Sequence, residues 1–171
     1  MVTASEILVH AVAIHEDKYA RSLPAYGHER RGAPVFADVM LHTQPILLSS
    51  FVYNPDYVLV FDPSVVDEGV HIGQGVSTDT VLVVNTDDSS VLARLREGLP
   101  WRAIYAVNAT RIALNAIGIN IPNTAMLGAC AKTGIVNLES ICSSLLEIFG
   151  EERSESNIRA AKEAYSQTKK V

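Results

Sequence analysis

The stretch Gly27-His28-Glu29-Arg30-Arg31-Gly32-Ala33-Pro34-Val35 places two adjacent arginines between glycines, just before an apolar run. Two guanidiniums present forked donors that match carboxylate or phosphate oxygens. Gly32 lets the backbone come close to a bound group. The residue types alone leave three uses open: anion binding, an inter-subunit ion pair, and a solvated loop. A second candidate is Asn123-Thr124, which heads the run NTAMLGACAKTG. Either residue can cap a helix whose first amide hydrogens then meet an anion, although capping alone is the plainer reading.

Other chemistry is thin. The chain has no G-x-S-x-G elbow and no phosphate-loop pattern. Gly73 and Gly75 in IGQGVSTD resemble half of a dinucleotide fingerprint, but they do not sit cleanly between a strand and a helix. Asp62 would lie at the carboxyl end of a strand, where ligands of wound sheets bind, yet a cap before Pro63 explains it as well. His10 falls in an apolar run and reads as a core or interface residue, while His42 and His71 are isolated. Cys130 and Cys142 lie among apolar neighbours, form no Cys-x-x-Cys, and have no histidines near them in the sequence. They read as buried free thiols in a reducing compartment, and no zinc or iron–sulfur site is expected.

The elements that would position these residues follow from periodicity. Ile7, Leu8, Ala11 and Ile14 recur at helical spacing with further apolar residues around them, so a first helix is expected between a sheet and another layer. KYARSLPAY and PVFADVMLHTQPILL read as extended, with a turn near residues 43–45. PDYVLVFDP, DTVLVVNTDD and WRAIYAVNA read as strands. The first is continuously apolar and fits a central strand covered on both faces. SSVLARLREGL is a short helix capped by Ser89 or Ser90, and TRIALNAIG a helix closed by Gly118. In NTAMLGACAKTG the small residues suit close approach to another backbone. NLESICSSLLEIFG carries a one-sided apolar stripe, and SESNIRAAKEAYSQTKK reads as a polar terminal helix. Strands alternating with helices predict a Rossmann-like, doubly wound α/β fold. Its sheet is mostly parallel with an antiparallel edge hairpin, in one domain over residues 1–171.

Composition supports a globular chain: 48% of residues are hydrophobic and 19% charged, enough for a real core. The net charge of -5 disfavours nucleic-acid partners, which need a basic face. No run approaches the roughly 20 apolar residues of a membrane span, and the N-terminus lacks the order of a signal peptide. A cytoplasmic protein is expected.

YGHERRGAPV, PDYVLVFDP, VNTD, NTAMLGACAKTGIVNLES and SESNIRAAKEAY occur in this order across nearly the whole chain. Together they resemble the gamma subunit of pyruvate:ferredoxin oxidoreductase and of its relative, 2-ketoisovalerate:ferredoxin oxidoreductase. The ERRGAPV and NTAMLGA forms resemble the pyruvate and branched-chain types more than the 2-oxoglutarate type. The resemblance implies a complex that decarboxylates a 2-oxoacid with coenzyme A and passes electrons to ferredoxin. It implies thiamine diphosphate, Mg2+ and 4Fe–4S clusters held by alpha, beta and delta partner subunits, and no cofactor bound by this chain alone. Arg30, Arg31, Gly32, Asn123 and Thr124 would then serve coenzyme A or a subunit interface, with no catalytic residue here. The family pattern opens with a strand and a G-x-G-G-Q-G turn, whereas this sequence begins MVTASEIL. The resemblance thus implies an in-frame extension upstream of Met1.

Overall fold

Three short runs of branched apolar residues build a parallel sheet: β3 (Tyr57–Val60), β4 (Val81–Asn85) and β5 (Ala103–Val107). The computed structural model describes residues 2–25, 35–47, 49–67 and 72–171. A two-residue strand, β6 (Lys169–Lys170), adds antiparallel to β5. Strand β4 is buried at every position, as its unbroken VLVVN run requires. Strand β3 has covered faces as expected, but it ends the described sheet instead of occupying its centre. An apolar run reports cover above and below a strand, not the number of strands beside it.

Helices lie on both faces. On one, α3 (Ser89–Gly98) packs Val91, Leu92 and Leu95 against Val60, Leu82, Val84, Ile104 and Ala106, with the short α2 (Ser64–Asp67) beside it. Trp101 Nε1 donates to Leu95 O at 2.9 Å and pins the helix to the following strand. The α3 cap is Asp88, not Ser89 or Ser90. Its carboxylate accepts from Ser90 N at 2.7 Å, because the extended backbone before the helix belongs to the aspartate. On the other face, α4 (Ala109–Ile117) stops as expected at Gly118, which is left-handed at φ 84°.

Behind α4 stands α5 (Asn123–Lys132), buried continuously from Thr124 to Ala131. Ala125, Met126 and Ala129 face the sheet and α4, while Leu127, Cys130 and Ala131 face the opposite core. Full burial of Met126 and Leu127 stabilises by about 1.5–3 kcal/mol each. The small residues do what their sizes suggested: a Cβ built on Gly128 would stand 2.0 Å from the carbonyl oxygen of Ala161. That carbonyl belongs to α6 (Leu138–Gln167), which bends at Gly150, where φ is 73°. The second half of α6 is less polar than it reads, because Ser154 is buried and Ala160, Ala161 and Ala164 enter the two cores. Lys132 Nζ lies 4.6 Å from the Tyr165 ring centroid, a cation–π contact between the same two helices.

Helix α1 (Val2–His15) packs Ile7, Leu8, Ala11 and Val12 into a core shared with α5 and α6. Its other side meets the hairpin β1 (Tyr19–Ala25) and β2 (Phe36–His42). The hairpin is the antiparallel element expected, but it forms a separate two-stranded sheet; the antiparallel edge of the main sheet is β6. Glu16 locks this layer in place by accepting from the Asn137 backbone N–H at 2.6 Å and from Lys18 Nζ at 2.8 Å. Burial alone would raise its carboxyl; the Asn137 amide and the Lys18 ammonium more than offset this and hold it below its ordinary value.

The contact at Gly128 has no room for a side chain and its neighbour is backbone, which cannot rotate aside. Gly128→Ala should cost about 3 kcal/mol of stability, measured as a lower urea midpoint. An unchanged midpoint would contradict the close approach of α5 to α6.

Candidate functional site

In a wound sheet the place to look is the carboxyl edge of the parallel strands. Here that edge carries Asp62 after β3, Asn85 to Asp88 at the end of β4, and Asn108 after β5. Most of these groups are engaged with one another. Asn85 is buried, and its Nδ2 donates to Phe61 O at 2.7 Å and to Thr110 Oγ1 at 2.9 Å. Its Oδ1 accepts from Thr110 N at 3.1 Å, so one amide joins three successive strand–loop junctions. Asn108 accepts from Arg111 N at 2.9 Å and donates to Asp87 Oδ2 at 3.0 Å, while Arg111 Nη1 stands 3.6 Å from the same carboxylate. Asp62 accepts from Ser64 N at 3.0 Å, which is the capping role. The edge is a hydrogen-bonded frame that holds loops in place. Its one described hydroxyl–carboxylate pair, Ser90 Oγ donating to Asp88 Oδ1 at 2.7 Å, belongs to the α3 cap.

Arg30, Arg31 and Gly32 lie outside the described residues. The nearest described neighbours in the hairpin, Ala25 and Phe36, are paired across its end. His28 and His71 also lie outside them. At the head of α5 the capping expectation is corrected. The residue before the helix is Pro122, no side chain caps the helix, and Pro122 O accepts from Met126 N at 2.8 Å. Thr124 is buried, and its hydroxyl donates to Asn157 Oδ1 on α6 at 3.1 Å. Asn157 is held in turn by its own Nδ2 donating to Arg153 O at 2.8 Å. Thr124 thus faces inward because a hydroxyl in the α5–α6 contact needs a polar partner. Asn123 is half-buried one residue earlier.

The Gly73 and Gly75 pair serves the fold. A Cβ on Gly75, at φ 72°, would fall 1.6 Å from Tyr53 O, and one on Gly73 would meet the Leu99 side chain at 2.6 Å. These glycines admit neighbouring protein, not a phosphate.

A family model described as pyruvate ferredoxin/flavodoxin oxidoreductase matches residues 1–167. The chain belongs to this family. Among curated relatives, the gamma subunit common to the pyruvate/ketoisovalerate oxidoreductases of Pyrococcus furiosus is 44% identical over 170 residues, covering 98% of this chain and 90% of that one. The pyruvate synthase subunit PorC of Methanocaldococcus jannaschii is 38% identical over 167 residues, covering 97% and 89%. A crystal structure of the pyruvate oxidoreductase subunit PORC from Thermotoga maritima matches with a TM-score of 0.83 at 36% identity, over 99% of this chain and 90% of that one.

Within this family member the sequence reading of the cysteines holds for burial: Cys130 is fully buried, Cys142 is partly so, and both are free thiols. One cluster escaped that reading. His10 and His15 on α1 meet Glu147 on α6, three residues that no local pattern joins. His10 is only partly buried, and its Nδ1 lies 3.0 Å from Ser144 Oγ.

Burial pushes the Cys130 thiol from an ordinary 9.0 up to about 12. The unfolded chain releases this proton near 9, whereas the folded chain keeps it to about 12. The stabilisation is therefore full below the lower value and is lost as pH rises between them. Urea unfolding at rising pH in this window should show the parent losing about 1.4 kcal/mol per pH unit more than Cys130→Ala. Parallel losses in the two proteins would disprove the assignment.

Proposed function

We propose that this chain is the gamma subunit of a 2-oxoacid:ferredoxin oxidoreductase that acts on pyruvate. The reaction takes pyruvate, coenzyme A and two oxidised ferredoxins to acetyl-CoA, carbon dioxide, a proton and two reduced ferredoxins. The observation that carries this reading is similarity along nearly all of this chain: the Pyrococcus gamma subunit aligns with 98% of it. The geometry supports a non-catalytic role in the complex, since the polar groups at the carboxyl edge are engaged in holding loops.

In this reading the alpha, beta and delta subunits are the partners, and ferredoxin is the acceptor of the whole complex. Thiamine diphosphate, when bound, supplies the carbanion chemistry with Mg2+, and 4Fe–4S clusters carry the electrons. A 4Fe–4S cluster takes four thiolates, so the two cysteines of this chain do not fit one. The part left to this chain is positioning. Arg30 and Arg31, with Gly32 beside them, supply forked donors to the coenzyme A phosphates or to a partner carboxylate. Asn123, half-buried at the head of α5, is the candidate of that pair left for a partner or coenzyme A, since Thr124 is turned inward onto Asn157. A second reading rests on a specific observation: the Pyrococcus relative is named as common to pyruvate and ketoisovalerate oxidoreductases. One gamma chain of this kind would serve two complexes of different 2-oxoacid specificity.

Co-expression with the neighbouring subunits should yield a complex that reduces ferredoxin with pyruvate and coenzyme A, while the chain alone stays inactive. Turnover by the chain alone, or a complex that forms and works without it, would refute the proposal. Replacing both arginines with alanine should weaken assembly, or raise the apparent KM for coenzyme A, by roughly tenfold or more, the scale of charge-assisted hydrogen bonds. Assays with 2-ketoisovalerate against each assembled complex separate the shared-subunit reading from the pyruvate-only one.

A further inference from the structure

Three side chains that the proposed role leaves unused converge where the end of α1 meets the first half of α6. His10 Nε2 is 3.4 Å from Glu147 Oε2, and His15 Nε2 is 3.4 Å from Glu147 Oε1. The imidazole rings are tilted by 56°, with centroids 5.8 Å apart. One ligand atom from each of the three residues can be chosen so that all lie within 4.8 Å of one another.

Several details set this apart from a surface ion pair. His15 Nε2 is buried and, despite the nearby carboxylate, has no hydrogen-bond partner of acceptable geometry. Orphaned buried nitrogens are uncommon and costly. His10 Nδ1 pairs at 3.0 Å with the hydroxyl of Ser144, which is fully buried. Metal-ligating histidines use an outer bond of this kind to fix the ring and free the other nitrogen as a ligand. The two 3.4 Å separations exceed the roughly 2.8 Å of a charge-assisted hydrogen bond. Each histidine faces a different oxygen of Glu147, and with one ligand atom per residue the set lies within 4.8 Å, a spread that small side-chain rotations would close onto an ion.

We propose that His10, His15 and Glu147 form a binding site for a divalent transition-metal ion of the zinc class. Two imidazoles and a carboxylate suit such an ion, whereas calcium and magnesium favour all-oxygen sets. Glu16, next in the chain, is not a fourth ligand, because its carboxylate is already held by Asn137 and Lys18. His10 and Glu147 are partly open to solvent, so water completes the coordination. The ion would tie α1 to α6 across the edge of their shared core. The sequence carried no sign of it, because Glu147 and the histidines lie at opposite ends of the chain.

The purified full-length chain, stripped with a chelator, is titrated with Zn2+ by calorimetry. One ion per chain should bind, and Glu147→Gln and His15→Asn should each weaken it by at least about tenfold. Zn2+ should also raise the melting temperature of the parent more than that of either variant. Co2+ in place of Zn2+ should give visible bands of nitrogen and oxygen ligation without a thiolate charge-transfer band. Lack of saturable one-to-one binding overturns the proposal. So does affinity that survives both substitutions, or a thiolate band that places the ion on a cysteine. If His15→Asn fails to fold, Glu147→Gln decides, since Glu147 is about half exposed and its circular dichroism should match the parent.

Discussion

The approach of α5 to α6 at Gly128 is the contact on which the remaining layers depend. Helix α5 is shared between two cores, one facing the sheet and one facing α1 and the hairpin. A helix in that position must be thin, and thinness comes from glycine and alanine. With Gly128 against the Ala161 carbonyl, α6 lies close enough to bury residues on both sides of the shared helix. Moving α6 outward would open both cores at once, because Ile141, Leu145 and Ala161 serve one and Ala160 and Ala164 the other. Tight packing turns a local backbone contact into a global constraint, since interiors tolerate little added volume.

The same economy governs the polar groups. Asn85 with Thr110, and Asn108 with Asp87, form two hydrogen-bonded pairs at the carboxyl edge of the sheet. Thr124 and Asn157 form a second set between α5 and α6. These groups hold one another, and Asp87 also stands 3.6 Å from Arg111. Together they fix the loops that follow three successive strands and the contact between α5 and α6.

Much of this architecture is legible in the sequence where a residue's local surroundings decide its structure. VLVVN is a strand because branched apolar side chains leave no polar face, and Gly118 ends a helix because it adopts a left-handed conformation there. The small residues of NTAMLGACAKTG foretell a close helix contact, though not its partner. Legibility fails where the outcome depends on distant chain. Ser89 and Asp88 are both acceptable caps, and the backbone path into α3 selects the aspartate. Asn123 and Thr124 look like caps until α6 places Asn157 beside Thr124. The alanines of the last helix carry little hydrophobic signal, so a buried face reads as a polar one. His10, His15 and Glu147 meet only after two helices have packed, and no spacing rule spans that gap.

Gly150 divides the longest helix into two hydrogen-bonded segments. Helical order propagates through successive backbone hydrogen bonds, and a residue at φ 73° and ψ 172° interrupts that propagation. Residues 138–149 stand with α1, and residues 151–167 stand mainly with α5 and the sheet. Each segment therefore carries its own run of backbone hydrogen bonds, while Ala161 of the second closes the same core that Ile141 and Leu145 of the first serve. With Ala160, Ala161 and Ala164 fully buried, side-chain packing bridges the gap that Gly150 leaves in the backbone ladder, so a helix broken in its hydrogen bonds still behaves as one wall of the fold.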